Sequence, residues 1–392
     1  VIAMRRRLRE IFEGVPVIVG GVNACGDYEN LLRSGFDYIC RGEGETTLPA
    51  LLEHLARNGG GPCSVPGVAT LHEGTLSVND PPPLIENLDA LPQPAWDLVR
   101  APCYRRTPFG RMALIETSRG CSFKCTYCSP SRQYGSTWRG KSAERIAEEF
   151  EIAEHGGATF AWLCEINTSE EPDHVRAFCE ALIRSGNQVR WYSQHRADAM
   201  VENPDMVSLM YRAGARSVIV GMESASDRSL SKIKKELTGD INRRLIDLLK
   251  ANRIVLNGAF ILGIPGETED EMRETIALAR RVDFPDFALL RPYPGTEEAK
   301  NFDFTGKYKL FNQGYALLHD NPKVAERMHK LAVFRTWLAP KRLLTVLHPN
   351  RHYRALTIWR YRVGFDIVFR KRIKHLLSEK ILKHFGRSIE TV

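Results

Sequence analysis

The sequence predicts an α/β protein built around an incomplete parallel barrel of six strand–helix units. Three observations predict it. Between residues 113 and 300, short apolar runs alternate about six times with stretches of helical period. Alternating strands and helices imply a parallel sheet. Glycines and acids recur just past the later apolar runs, at the strand ends where such folds place their chemistry.

The elements follow in order. Residues 16–57 read as a first α/β stretch. A buried-type strand ends in the Gly20-Gly21 turn, a short helix covers Tyr28 to Ser34, and Phe36 to Cys40 is the next strand. Arg41-Gly-Glu-Gly-Glu45 then leads to a helix from Thr47 to Arg57, with the threonine as cap. Residues 58–112 differ in kind. Gly59-Gly-Gly61, Pro81-Pro-Pro83 and Leu91-Pro-Gln-Pro94 mark a linker with a small hairpin around Val68–Val78 and a strap from Asn87 to Trp96. The barrel strands are expected at Ala113–Thr117, Thr159–Cys164, Val189–Gln194, Ser217–Gly221, Leu256–Gly263 and Phe287–Arg291. Helices are expected near 141–155, 172–185, 204–213, 240–252 and 269–282. Residues 301–392 lose the alternation and read as a basic helical region with interleaved aromatic residues. The expected organisation is therefore 1–60, 61–112, 113–300 and 301–392.

Composition sets the class. The chain has 392 residues, which suggests two to three domains, and its 43% hydrophobic content suffices for real cores. No apolar run of ~18 residues predicts a membrane span, and the start has no apolar signal region. Nine cysteines, three of them clustered, fit a reducing, cytoplasmic setting in which thiols serve metals. The net charge of +8 is uneven: residues 323–392 carry 17 Lys/Arg against 4 Asp/Glu. That tail suits nucleic acid, an anionic lipid surface or an anionic substrate, or else forms a solvated cover for the barrel.

The chemistry is carried by Cys121-Ser-Phe-Lys-Cys125-Thr-Tyr-Cys128. Three thiolates on one tight loop suit a [4Fe–4S] cluster, leaving one iron open to a small molecule. A zinc site is the alternative, but such sites usually pair two Cys with a second Cys or His pair, and none stands nearby. The spacing, with an aromatic before the third cysteine, resembles the radical S-adenosylmethionine (radical SAM) signature. The resemblance implies that Cys121, Cys125 and Cys128 hold the cluster. It also implies that the open iron chelates SAM, which is cleaved reductively to methionine and a 5′-deoxyadenosyl radical. A flavodoxin or ferredoxin would serve as reductant.

Further positions follow from the same resemblance. Gly221 and Glu223 after the fourth strand would meet the ribose or methionine part of SAM, and Gly263 after the fifth would lie against adenine. Glu267 stands one place later than that motif's usual glutamate. Glu165 after the second strand could hold the SAM ammonium, Arg196 after the third its carboxylate, and His195 is a candidate catalytic residue facing substrate. The Gly20-Gly21 turn, the Arg41–Glu45 stretch and the Leu-Pro-Gln-Pro strap resemble cobalamin-binding radical SAM proteins. In these a flavodoxin-like domain precedes the barrel, and Gly20 and Gly21 would lie against the cobalamin tail. That family's D-x-H-x-x-G motif, whose histidine can ligate cobalt, is absent. The chain starts just before the fourth strand of such a domain, so a preceding segment is expected and half a domain should bind cobalamin poorly.

Arg139-Gly-Lys-Ser, the Trp162–Thr168 stretch, Asp198 and the helical tail most resemble the anaerobic magnesium-protoporphyrin IX monomethyl ester cyclase type. This implies a small-molecule substrate such as a tetrapyrrole, with peripheral membrane contact through the tail and no nucleic acid. The alternatives are a cobalamin-dependent C-methyltransferase, a methylthiotransferase-type enzyme, or a non-enzymatic zinc or nucleic-acid-binding protein.

Overall fold

The computed structural model describes residues 2–95, 110–129, 134, 136–302 and 317–337, the side chains of residues 2–4 excepted. The first elements are α1 (Ile2–Ile11), β1 (Ile18–Gly20), α2 (Val22–Gly26), α3 (Tyr28–Arg33), β2 (Tyr38–Cys40), α4 (Gly44–Asn58), β3 (Val68–His72) and β4 (Thr75–Val78). They form one sheet of order β1-β2-β3-β4, parallel between β1 and β2 and antiparallel beyond. The hairpin expected inside a linker thus extends the first sheet. Cys40 pairs with Val68 and Ile39 with Ala69, and these apolar partners are buried together. The hairpin turns on Glu73 and Gly74, both at positive φ, as a tight two-residue turn requires.

Helix α4 also departs from expectation. It starts at Gly44, a turn before the predicted Thr47 cap. The residue at its N-cap, Glu43, makes no capping bond because its carboxylate is held by two arginines of the barrel. Its other end closes on Gly59 in the left-handed conformation, the usual glycine stop.

The barrel begins with β5 (Met112–Ile115) and a small antiparallel pair, β6 (Ser118–Arg119) with β7 (Arg139–Gly140). Then come α5 (Ala143–His155), β8 (Phe160–Leu163), α6 (Pro172–Arg184), β9 (Arg190–His195), α7 (Ala197–Glu202), α8 (Pro204–Arg212) and β10 (Ala215–Glu223). After them stand α9 (Asp227–Lys232), α10 (Gly239–Ala251), β11 (Val255–Leu262), α11 (Glu269–Ala279), β12 (Phe284–Leu289) and α12 (Pro322–Trp337). The sheet order is β12-β11-β10-β9-β8-β5, and every pairing is parallel. This is the open six-stranded barrel the alternation predicted.

The helices start where polar caps allow. Ser142, Ser226, Thr238 and Thr268 each accept a backbone N–H of the following turn. The core lies between sheet and helices, around the fully buried Trp191, Phe150, Phe178, Leu163, Met200 and Met206. Helix α12 adds Met328 and Ala332 to Leu262, Met272 and Ile276, closing the α11–β12 side. The rest of the basic tail, residues 338–392, and the strap end at Trp96 lie outside the described residues.

Candidate functional site

Cys121, Cys125 and Cys128 lie on an irregular loop between β6 and β7 and border one cavity of about 480 Å³ at the carboxyl ends of the strands. That volume falls within the range of about 300–1,000 Å³ typical of small-molecule sites. A loop without regular structure needs tethers to hold three sulfurs in place, and each neighbouring element supplies one.

At its start, Gly120 takes φ +89, and a Cβ there would meet the Thr137 carbonyl, so only glycine fits the turn out of β6. Ser122 donates its backbone N–H to Glu170 at 2.9 Å, and Asn167 holds the other oxygen of that carboxylate at 2.7 Å. Between Cys125 and Cys128, the Thr126 N–H bonds to the Ile233 carbonyl at 3.1 Å. The Thr126 carbonyl accepts the Glu297 N–H at 3.0 Å and its hydroxyl donates to Glu298 at 2.5 Å. Tyr127 reaches across the cavity wall and donates to Glu223 at 2.7 Å.

Glu223 is the centre of the charged wall. Strand β10 bulges between Gly221 and Glu223, which sits at φ 58 and forms a 3.0 Å ion pair with the buried Lys235. The flanking Lys234 and Glu236 also have positive φ, at 50 and 55. Such conformations cost non-glycine residues energy and gather where the surroundings enforce them. Gly221 borders the cavity, and a Cβ there would lie 2.4 Å from the Glu223 carboxylate and 2.8 Å from the Lys235 ammonium. The glycine therefore makes room for the pair.

Arg196 also borders the cavity. Its guanidinium stacks over Phe123 at 3.4 Å, pairs with Asp198 at 2.8 Å and donates to the Lys235 carbonyl at 2.9 Å. Burial opposes its charge, but Asp198 more than offsets this and keeps it protonated.

Other expected site residues stand differently. Glu165 is not among the cavity-lining residues. Its carboxyl hydrogen-bonds Thr168 and the Thr117 N–H inside the protein, and burial raises its pKa to about 7. Ile166 and Asn167 of the same loop border the cavity instead, held by Gln194 through the Glu165 carbonyl. His195 borders the cavity, but it shares strand parity with the buried Trp191 and Ser193 and bonds Ser193 at 2.6 Å. Burial lowers its pKa to about 3, so it is neutral. Gly263 lies away from the cavity: a Cβ there would sit 3.0 Å from Ala325 of α12. Ala259, Phe260 and Ile261 are the cavity-bordering residues of β11. Glu267, whose carboxylate accepts the Gly263 and Ile264 N–H groups, braces its own turn.

Gly20 and Gly21 border a second cavity, of about 440 Å³, with Gly42, Glu43, Gly44 and Tyr134. It lies at the carboxyl ends of parallel β1 and β2, the usual ligand position in such sheets. Nothing stands within 4 Å of a Cβ built on Gly21 or Gly44, so the backbone there is open to a ligand.

Residues 115–279 match the radical SAM superfamily. The chain is 30% identical to an uncharacterised methyltransferase of Pyrococcus horikoshii over 86% of this chain and 75% of that protein. The chain belongs to the radical SAM superfamily. It is 28% identical to the anaerobic magnesium-protoporphyrin IX monomethyl ester cyclase of Rubrivivax gelatinosus, over 73% of this chain and 53% of the cyclase. The fold also matches the radical SAM methyltransferase TsrM of Kitasatospora setae, solved with cobalamin and a [4Fe–4S] cluster. That match has a TM-score of 0.62 at 21% identity and covers 76% of this chain and 59% of TsrM. The chain thus spans little more than half of these last two proteins.

Lys235, Glu170 and the tethers of Thr126 escaped the sequence reading. Nothing in the spacing of Lys232-Ile-Lys234-Lys235 shows that the last lysine turns inward.

Proposed function

We propose that this chain binds a [4Fe–4S] cluster through Cys121, Cys125 and Cys128 and cleaves SAM reductively beside it. The observation that carries this reading is that all three thiols border one cavity also lined by Arg196, Glu223 and Lys235. The donor set fits. Among the described residues no three Cys, His, Asp or Glu converge as a single metal ion requires. Three thiolates on one loop suit such a cluster, which is held by cysteine sulfur. When bound, the cluster supplies one electron to the sulfonium. The protein's part would be to orient SAM: Arg196, Glu223 and Lys235 would hold its amino-acid portion, and Ala259, Phe260 and Ile261 would give an apolar wall for its base.

The second cavity supports a cobalamin-associated enzyme. Its open glycine backbone suits the nucleotide tail of a large cofactor. For the reaction, methyl transfer is favoured by the relative named an uncharacterised methyltransferase, aligned over most of the chain. Oxidative cyclisation of a tetrapyrrole is the second reading, favoured by the cyclase relative.

Anaerobic reconstitution with iron and sulfide, then dithionite and SAM, tests the core of this. The protein should take up four irons per chain and release 5′-deoxyadenosine or a transferred methyl group, and Cys125→Ala should do neither. Failure of the intact protein to bind a cluster would overturn the reading. Label from methyl-labelled SAM in the product separates methyl transfer from cyclisation.

A further inference from the structure

The cysteine loop has one tether that SAM chemistry does not explain. Arg119, two residues before Cys121, turns away from the cavity and into the first sheet. Its guanidinium bonds Glu43 at 2.9 Å, Glu45 at 2.5 Å and Glu116 at 2.9 Å. Arg139, its direct cross-strand partner, bonds both oxygens of Glu43 at 3.1 Å. The Ile85 N–H completes Glu43 at 2.6 Å. The side chains of Arg119, Arg139 and Glu43 are only 7%, 8% and 2% exposed.

This is a costly way to make a protein stable. Like charges directly opposite on paired strands repel, and buried ion pairs are often replaceable by apolar packing without loss. Arg139 even leaves two buried donors, Nε and Nη2, without partners among the described residues. What such a network does supply is a fixed register. Here it fixes a two-residue strand, whose end is the first cluster ligand's loop, against the Gly42–Glu45 turn that borders the second cavity.

We propose that Arg119 is a positioning residue: through Glu43 and Glu45 it locks the Cys121 end of the cysteine loop to the wall of the N-terminal cavity. The inference rests on the cluster reading above. The carboxylates that Arg119 pairs with, Glu43, Glu45 and Glu116, do not line the cysteine-bordered cavity, so its effect is on where the loop sits.

The test uses the anaerobically reconstituted full chain. Arg119→Gln, Glu43→Gln and Glu45→Gln are compared with Arg281→Gln, which removes an exposed pair to Asp247. Two properties are read: the electron paramagnetic resonance of the reduced cluster, with and without SAM, and the rate of iron loss to a chelator. Outer-shell changes typically weaken metal binding about 10–100-fold, so R119Q should lose iron about tenfold faster and show a shifted resonance. E43Q should act in the same direction. Arg119→Lys, which can reach only one carboxylate, should fall between R119Q and wild type. R281Q should match wild type. Glu45 is 41% exposed, so E45Q leaves the buried pair in place, should fold, and should shift both properties less. An R119Q protein with wild-type resonance and iron loss overturns the proposal; if R119Q does not fold, an unchanged E45Q does so. A wild type that takes up no cluster instead overturns the radical reading, and this inference with it.

Discussion

Replacing Lys235 tests whether the strained segment after α9 is held by its ion pair. Lys235 and Glu223 have side chains 7% exposed and stand 3.0 Å apart. Lys235→Met keeps the length of the side chain and removes the charge, leaving Glu223 buried with Tyr127 as its hydrogen-bond donor. Breaking a buried pair from one side typically costs about 3–5 kcal/mol. The surviving Tyr127 bond sets the lower end here, about 3 kcal/mol. Glu223→Gln in the same background removes the stranded charge and leaves an amide that still accepts from Tyr127. The double variant should therefore lie only about 1 kcal/mol below wild type. The predicted coupling is about 2 kcal/mol or more, well above the ~0.5 kcal/mol scatter of independent sites. Urea unfolding of the cluster-free protein, followed by circular dichroism at pH 7, measures all four corners of the cycle without ligand linkage. Additive effects would refute the reasoning, because they would mean that neither charge depends on the other.

Two further predictions concern the α11 end of the barrel. Burial raises the Glu267 pKa from its ordinary 4.5 to about 7. Between those values the folded state holds more protons than the unfolded one, so stability falls as pH rises through this window and levels off above pH 7. The loss amounts to about 3 kcal/mol. Glu267→Gln cannot ionise and should gain on wild type by about that amount between pH 4.5 and 8; parallel pH profiles of the unfolding midpoint would contradict this. Thr268 and Glu271 form a reciprocal capping box at the start of α11. Thr268→Ala should cost about 1 kcal/mol in the same assay, by the usual value of a helix cap.

The barrel was legible because its signals are local. A run such as Ser217–Gly221 followed by a helical period needs no knowledge of its neighbours, and all six strands lie within a few residues of their predicted places. Within the barrel, the six-residue helices α7 and α9 were missed, since so short a segment carries little helical period, although α3, of equal length, was found. The hairpin at Val68–Val78 was seen, but its pairing with β2 was not, since strand pairing is a long-range choice. The site divides in the same way. The cysteine spacing announces three sulfurs on one loop. Which way a side chain turns is decided by partners distant in sequence: Glu165 inward to Thr168, Gly263 toward Ala325, and Lys235 toward Glu223.

The pattern of those distant partners says something about the loop itself. Ordering a residue costs about 1–2 kcal/mol of backbone entropy, and residues 120–129 gain no helix or strand bonds in return. The cost is met instead by tethers from the first sheet through Arg119, from the β8 loop through Glu170, from the segment after α9 through Ile233, and from the segment after β12 through Glu297 and Glu298. That last segment also comes close to helix α2 of the first α/β unit, since a Cβ on Gly26 would lie 2.4 Å from the Pro294 carbonyl. Both halves of the cysteine loop are therefore referenced to the unit that carries the glycine cavity. Three cysteines on a free peptide could wrap a metal in many ways; these three are held in one arrangement by elements from both ends of the described chain. The cavity they border is thus a product of the whole assembly of barrel and first α/β unit, and a change at Gly26 or Glu43 is expected to shift the cysteine loop without touching it.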